Sequence, residues 1–359
     1  MSTTIGSGYG IMPTLIANAG NVHQQLDTLT QQVSTGLVSQ TYAGLGSQAG
    51  VALDLSPQLN SLQIYQNNIS QATGTMGVTQ TAMTQIQQIA ASFAGDIPAL
   101  TGLNASEVDS VAAQANAALQ QVADLLNTKS GDSYVFAGQD SANAPVPSGD
   151  AILSSGFYTQ INTAVSALSA NGAAATAATT LSIASSNASG TTPFSPYLSQ
   201  PASAISAPVV QTGEWGGTVQ TGLLASANSA SVSSGTSTTG SYIRDLMRSL
   251  ATLGSLSSSQ INTPGFAALV QDTGSSLNGA VNAMAVDVGV LGNTQSGLTK
   301  TQTQLSDTAT ALSGQLSSVQ DVDMAAALSK LTATQTQLQA SYRMITSEGS
   351  LSLANFLPA

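Results

Sequence analysis

The chain has 359 residues, six basic and seventeen acidic, and only 6% of them are charged, against roughly 25% in an ordinary globular protein. With a net charge of −11 and no Cys, it has no basic stripe for nucleic acid and no route to disulfide or thiolate chemistry. No apolar run approaches the ~20 residues of a membrane helix. The opening MSTTIGSGYGIMPTLIANAG lacks the basic and continuous apolar regions of a secretory signal. Membrane insertion is therefore not expected, and export, if it occurs, is expected by another route.

Leu15, Ala19, Val22, Leu26, Leu29 and Val33 alternate spacings of four and three. That is a heptad seam, by which one helix buries a narrow stripe against another. Gly36 in STGLVS is placed to close this helix, and QTYAGLGSQAGVALDLSPQ reads as a glycine-rich loop. A second, rod-like seam runs from Leu55 through Leu62, Tyr65, Ile69, Met76, Met83, Ile86 and Ala90 to Phe93. Pro98 is expected to break it, with Asn104 or Ser106 capping the next helix. A third seam holds Val108, Val111, Ala115, Ala118, Val122 and Leu125.

The stretch NTKSGDSYVFAGQ, residues 127–139, carries the first basic residue of the chain, Lys129. It reads as a helix stop, a turn over Gly131-Asp132, a short strand at Tyr134–Phe136 and a glycine exit at Gly138. From about residue 140 to 254 the character changes. A helix is predicted over Phe157–Ala170 with an Ala/Thr-rich helix after it, and APVVQTG and GTVQTGLLA read as strands joined around Trp215. YIRDLMRSLATL returns to helix. Long helical periodicity then starts at Phe266 and reaches Val319, although Gly274, Gly279, Gly289 and Gly292 weaken it. Beyond DVD at 321–323, Leu328, Leu331, Leu338, Tyr342 and Ile345 form a last stripe, and the chain closes on SLSLANFLPA, with Leu353 and Phe356.

These elements predict a mainly α fold: a long antiparallel coiled-coil helical bundle from the N- and C-terminal segments, with an inserted smaller α+β outer domain. The division is 1–40 and 321–359 as terminal axial helices, 41–139 and 255–320 as rod, and 140–254 as the outer domain. The seams are backed by Gln, Thr, Ser and Ala rather than by ion pairs, so such helices are marginal alone. The terminal helices are therefore expected to be ordered mainly by packing against other copies. The candidate assembly interface is Leu15, Val22, Leu26, Leu29, Val33, Leu328, Leu331, Leu338, Tyr342, Ile345, Leu353 and Phe356.

Enzymatic readings find little support. His23 is the only histidine and flanks the first seam, where catalysis would require partners in defined roles. Asp321 and Asp323 read as a solvated break or cap, not a metal pair, and one His without Cys leaves little for zinc. GLGSQAG at 44–50 neither follows a strand nor opens a βαβ unit, so it is no dinucleotide fingerprint. No cofactor is expected.

The stretches VSTGLVSQTY, NTKSGDSYVFAGQ and LSKLTATQTQLQASYRMITSEGSLSLANFL resemble the bacterial flagellin superfamily, and most closely its hook-associated proteins of the hook–filament junction. The resemblance covers roughly residues 11–140 and 265–357. It implies that the corner at 127–139 is where the chain leaves an axial core, with Lys129, Gly131, Tyr134, Phe136 and Gly138 as its hinge, and Tyr134 and Phe136 as the apolar half of a short hairpin. It also implies unfolded export through the flagellar channel and an export chaperone on the C-terminal helix. Partners would be copies of the chain itself in a tube and neighbouring hook-associated protein, hook or flagellin subunits. A flagellin of the filament is the alternative, and a secreted adhesin on a helical stalk a more distant one. The loop LVSQTYAGLGSQAG departs from the Arg, Asn and Asp usual there in flagellins, and the second helix lacks the Arg that innate immune receptors contact.

Overall fold

The computed structural model describes residues 11–100, 102, 105–213, 217–228, 232–234 and 237–354, with side chains described between Met12 and Glu348. Two compact units result, one from the chain ends up to Gln63 and from Asp307, the other spanning Ile64–Ser306. The order is α1 (Ile11–Thr35), α2 (Ala49–Leu100), α3 (Ala105–Leu126), β1 (Lys129–Ser130), β2 (Ser133–Tyr134), α4 (Gly156–Ser166), α5 (Leu168–Ser185), β3 (Val209–Gln211), β4 (Thr218–Gln220), α6 (Tyr242–Gly254), α7 (Phe266–Gln320) and α8 (Met324–Ala354). The protein is mainly α, as its seams predict.

In the terminal unit, α1 packs along α8. Gly36 closes α1 in the left-handed conformation, φ 73°, its N–H donating to Gln32 O at 2.8 Å. The turns beyond the two helix ends then bond to each other. Val38 N donates to Gln320 O at 2.7 Å and Val322 N to Gly36 O at 2.9 Å, an antiparallel bridge between Leu37 and Asp321. This lock fixes α1 and α8 as antiparallel. Asp323 caps α8, its Oδ1 accepting from Ala325 N and Ala326 N at 3.0 and 3.1 Å; that carboxylate satisfies donors that a helix start leaves unpaired.

The glycine-rich loop is shorter than the sequence suggests. A 3₁₀ turn covers Tyr42–Gln48 and α2 starts at Ala49, running through Pro57. Ala52 and Leu55 are buried, and this apolar face carries the helix across a residue with no N–H to donate. Nor does Pro98 end α2: the helix continues to Leu100, and Ile97 and Leu100 are both buried. Asn104, one of the two caps proposed for α3, lies outside the described residues, and Ser106 sits inside the helix rather than before it.

The middle unit is organised around α6, every residue of which is buried. It packs on α3, α4 and α5. At its C-terminus the carbonyl of Gly254 accepts from Asn116 Nδ2 of α3 at 3.0 Å and from Tyr158 Oη of α4 at 3.1 Å, so two neighbours satisfy an acceptor the helix leaves open. At its N-terminus Asp245 accepts from Thr239 N at 2.7 Å and Thr239 Oγ1 at 2.8 Å, an anion where the helix dipole favours one. Helix α7 is continuous despite its glycines. It runs against α2 in antiparallel register, with Gln295 Nε2 donating to Thr73 O and Gly274 packed at Ile97. The β3–β4 hairpin forms where two strands were expected, its Val210 buried with Ile69, Met76, Leu291 and Leu298. The turn residue Trp215 lies outside the described residues.

Candidate functional site

Two places were singled out by sequence: the stripes of the terminal helices and the corner at 127–139. In the terminal unit, Ala19 and Val22 of α1 are buried, while Leu15, Leu26, Leu29 and Val33 are half-buried. On α8 the inward stripe is Ala327, Leu331, Thr334, Leu338, Ser341 and Ile345, which keeps the alternation of four and three. Leu328 and Tyr342 do not belong to it. They are 47% and 49% exposed, one step off the seam, so the predicted stripe mixed two faces. The cause is local: Ala327 and Thr334 hold seam positions, and the eye follows the larger Leu328 instead. Leu353 and Phe356 fall where no side chain is described.

Several large apolar residues lie outside the α1–α8 seam. Ile16 is 57% exposed and Met344 59%. Because residues 37 and 321 pair, equal rise along both helices brings Ile16 level with Tyr342. Tyr342 and Met344, two residues apart, face different sides of α8, so these exposed apolar side chains share a level of the helix pair and not a single face. The exposed Arg343 stands between Tyr342 and Met344, and farther along α1 His23 Nδ1 lies 3.1 Å from Asp27 Oδ2, an exposed i,i+4 contact worth a few tenths of a kcal/mol. The polar residues Gln24, Gln25, Lys330 and Gln337 line a groove between α1 and α8. Two helices alone cover only one stripe of each other, and Ile16, Leu328, Tyr342 and Met344 stay exposed.

At the corner, α3 ends and the chain makes a two-residue hairpin over Gly131-Asp132. Lys129 pairs with Tyr134 and Ser130 with Ser133, and Lys129 Nζ lies 4.5 Å from the Tyr134 ring centroid, a cation–π contact. The strand covers Ser133–Tyr134 rather than reaching Phe136. Phe136 lies past the hairpin in the main core, buried with Val135, and its carbonyl accepts from Ala225 N at 3.1 Å. Thus Tyr134 and Phe136 do not share the hairpin. Gly138 is obligatory: φ is +69°, and a Cβ there would meet Leu224 Cδ2 at 2.6 Å and Ser206 O at 2.7 Å. Asn127, not singled out by sequence, is the clamp of the corner. Its Nδ2 donates to Val146 O at 2.8 Å and its Oδ1 accepts from Val146 N at 2.9 Å, so one side-chain amide pairs the departing segment as a strand would. An Asn directly after a helix and before a Thr-Lys turn was its only advance sign.

Sequence reasoning also missed the charges inside α6. Arg248 Nη2 bonds Asp272 Oδ2 at 2.9 Å and its Nη1 donates to Ser237 Oγ at 2.7 Å. Tyr242 donates to Asp287. Two of the six basic residues, Arg244 and Arg248, are thus buried.

The architecture is that of a mainly helical chain whose two terminal helices pack against each other. Residues 11–141 match the family model for the bacterial flagellin N-terminal helical region, and residues 275–357 that for the bacterial flagellin C-terminal helical region, together more than half of the chain. No curated protein matches it. The chain belongs to the bacterial flagellin family and is a structural subunit of the flagellum, a class that self-assembles outside the cell for motility.

Proposed function

We propose that this subunit occupies the hook–filament junction, as a flagellin-like hook-associated protein that joins hook to filament. Residues 1–40 and 321–359 serve as the axial helices, 41–139 and 255–320 as the rod, and 140–254 as the outward domain. Leu15, Val22, Leu26, Leu29, Val33, Leu331, Leu338 and Ile345 hold the two terminal helices together, while Leu328, Tyr342, Leu353 and Phe356 meet neighbouring subunits. The carrying observation is the pair α1–α8, locked end to end by the Leu37–Asp321 bridge yet leaving Ile16, Leu328, Tyr342 and Met344 uncovered. A chain free of Lys and Arg through its first 128 residues, and so with neither in α1 or α2, supports the junction over the filament reading. An export chaperone covers the C-terminal helix before secretion.

Export tests this against a stalked adhesin. In cells lacking the flagellar secretion gate the subunit stays inside; continued appearance in the medium would rule out an axial subunit.

A further inference from the structure

The chain has eight methionines and no Cys, so its sulfur chemistry is that of thioethers. Met76, Met83, Met247 and Met284 are at most 1% exposed, and Met12 is half-buried. Among the described residues two stand open, both on α8: Met324 at 40% and Met344 at 59%. An oxidant in solution reaches a thioether only where the side chain is accessible, so exposure ranks these residues by susceptibility.

The two open methionines lie on different sides of the helix. Tyr342 follows Met324 by eighteen residues, five turns of an α-helix, and Leu328 follows it by about one turn. Met324, Leu328 and Tyr342 therefore share one exposed apolar stripe, in which the exposed Gln335 adds no charge. Met344 lies about 200° round the helix from Tyr342. One methionine thus sits in line with the side chains assigned to neighbouring subunits, and the other does not.

We propose that Met324 is an oxidation-sensitive contact of the assembly surface, and that its sulfoxidation by peroxide excludes the free subunit from the flagellum. This rests on the reading that Leu328 and Tyr342 meet neighbouring subunits. In the reaction the Met324 sulfur attacks one oxygen of hydrogen peroxide. An S–O bond forms as the O–O bond breaks, the sulfur gives up two electrons, and the second oxygen leaves with both protons as water. The thioether becomes a polar sulfoxide, and covering that oxygen with a neighbour that offers no donor opposes docking. Met344 oxidises as readily, but on its side of α8 the sulfoxide stays in water and does not hinder attachment.

Modification interference on the wild-type full chain tests this. Labelled monomer is partly oxidised with hydrogen peroxide and presented to hook-bearing flagellar bodies isolated from cells lacking the subunit. Peptide mass spectrometry then measures each sulfoxide in the attached and unattached fractions. Before attachment, Met324 and Met344 should be converted at least ~10-fold faster than the four buried methionines. Met324 sulfoxide should be depleted at least ~10-fold from the attached fraction, with Met344 sulfoxide shared evenly. Met324 sulfoxide attaching in proportion, Met344 sulfoxide excluded to the same extent, or a buried methionine converting as fast would overturn the assignment. Untreated subunit that fails to attach would overturn the junction reading, and the assignment with it.

Discussion

The hydroxyl of Tyr242 donates to Asp287 Oδ2 at 2.8 Å, tying α6 to α7 across 45 residues of chain, with both partners buried. Burial, then the Asp287 charge and the hydrogen bond, raise the Tyr242 pKa well above its ordinary value of 10.0. The folded state therefore holds the phenol proton more tightly than the unfolded chain. The stability this confers is complete below pH 10 and is lost as pH rises above it. Tyr242→Phe removes the donor and should cost about 1–3 kcal/mol at neutral pH. Above pH 10 the gap between wild type and variant should narrow, as urea unfolding at a series of pH values will read.

The Arg248–Asp272 pair is asymmetric in burial, with side-chain exposures of 2% and 20%. Asp272→Ala strands the more buried partner and should destabilise by about 3–5 kcal/mol. Arg248→Met with Asp272→Leu removes both charges and should recover most of that loss. Denaturant midpoints of the three proteins decide it.

Two glycines of α7 should respond oppositely to alanine. At Gly289 a Cβ meets nothing, so Gly289→Ala gains helix propensity and should stabilise by about 0.5–1 kcal/mol. At Gly279 a Cβ runs into the carbonyl of Ser234, and backbone gives way poorly. There the clash of about 1–3 kcal/mol exceeds the propensity gain, and Gly279→Ala should lower the melting temperature.

Much of this protein was written in its spacing. The α1 seam, the break at 321–323, the corner over Gly131-Asp132 and the β3–β4 hairpin follow from periodicity and turn residues, which act locally. What escaped was set by tertiary context. Pro57 and Pro98 sit inside α2 because Ala52, Leu55, Ile97 and Leu100 bury a continuous face around them. The α8 seam passes through Ala327 and Thr334, small residues that only a facing helix identifies as inward. YIRDLMRSLATL looks amphipathic, yet its charged side is buried too, because Asp272, Thr239 and three carbonyl oxygens from other segments meet it. Likewise Asn127 acquires its role only once Val146 folds back onto it.

The two faces of α8 separate folding from assembly. Leu338 is buried against α1, and Leu338→Asp should both loosen the terminal unit, at a cost of several kcal/mol, and stop incorporation. Leu328 is exposed in the single chain, so Leu328→Asp should change monomer stability by less than about 0.5 kcal/mol yet still prevent incorporation. Circular dichroism melts and swimming assays distinguish the two. Normal motility with either change would refute the interface.

Where the subunit resides is read most directly by immunogold labelling of intact flagella with antibody raised against residues 140–254. A compact band of gold at the distal end of the hook is the predicted result. Gold along the whole filament, or flagella with none, would contradict a junction subunit.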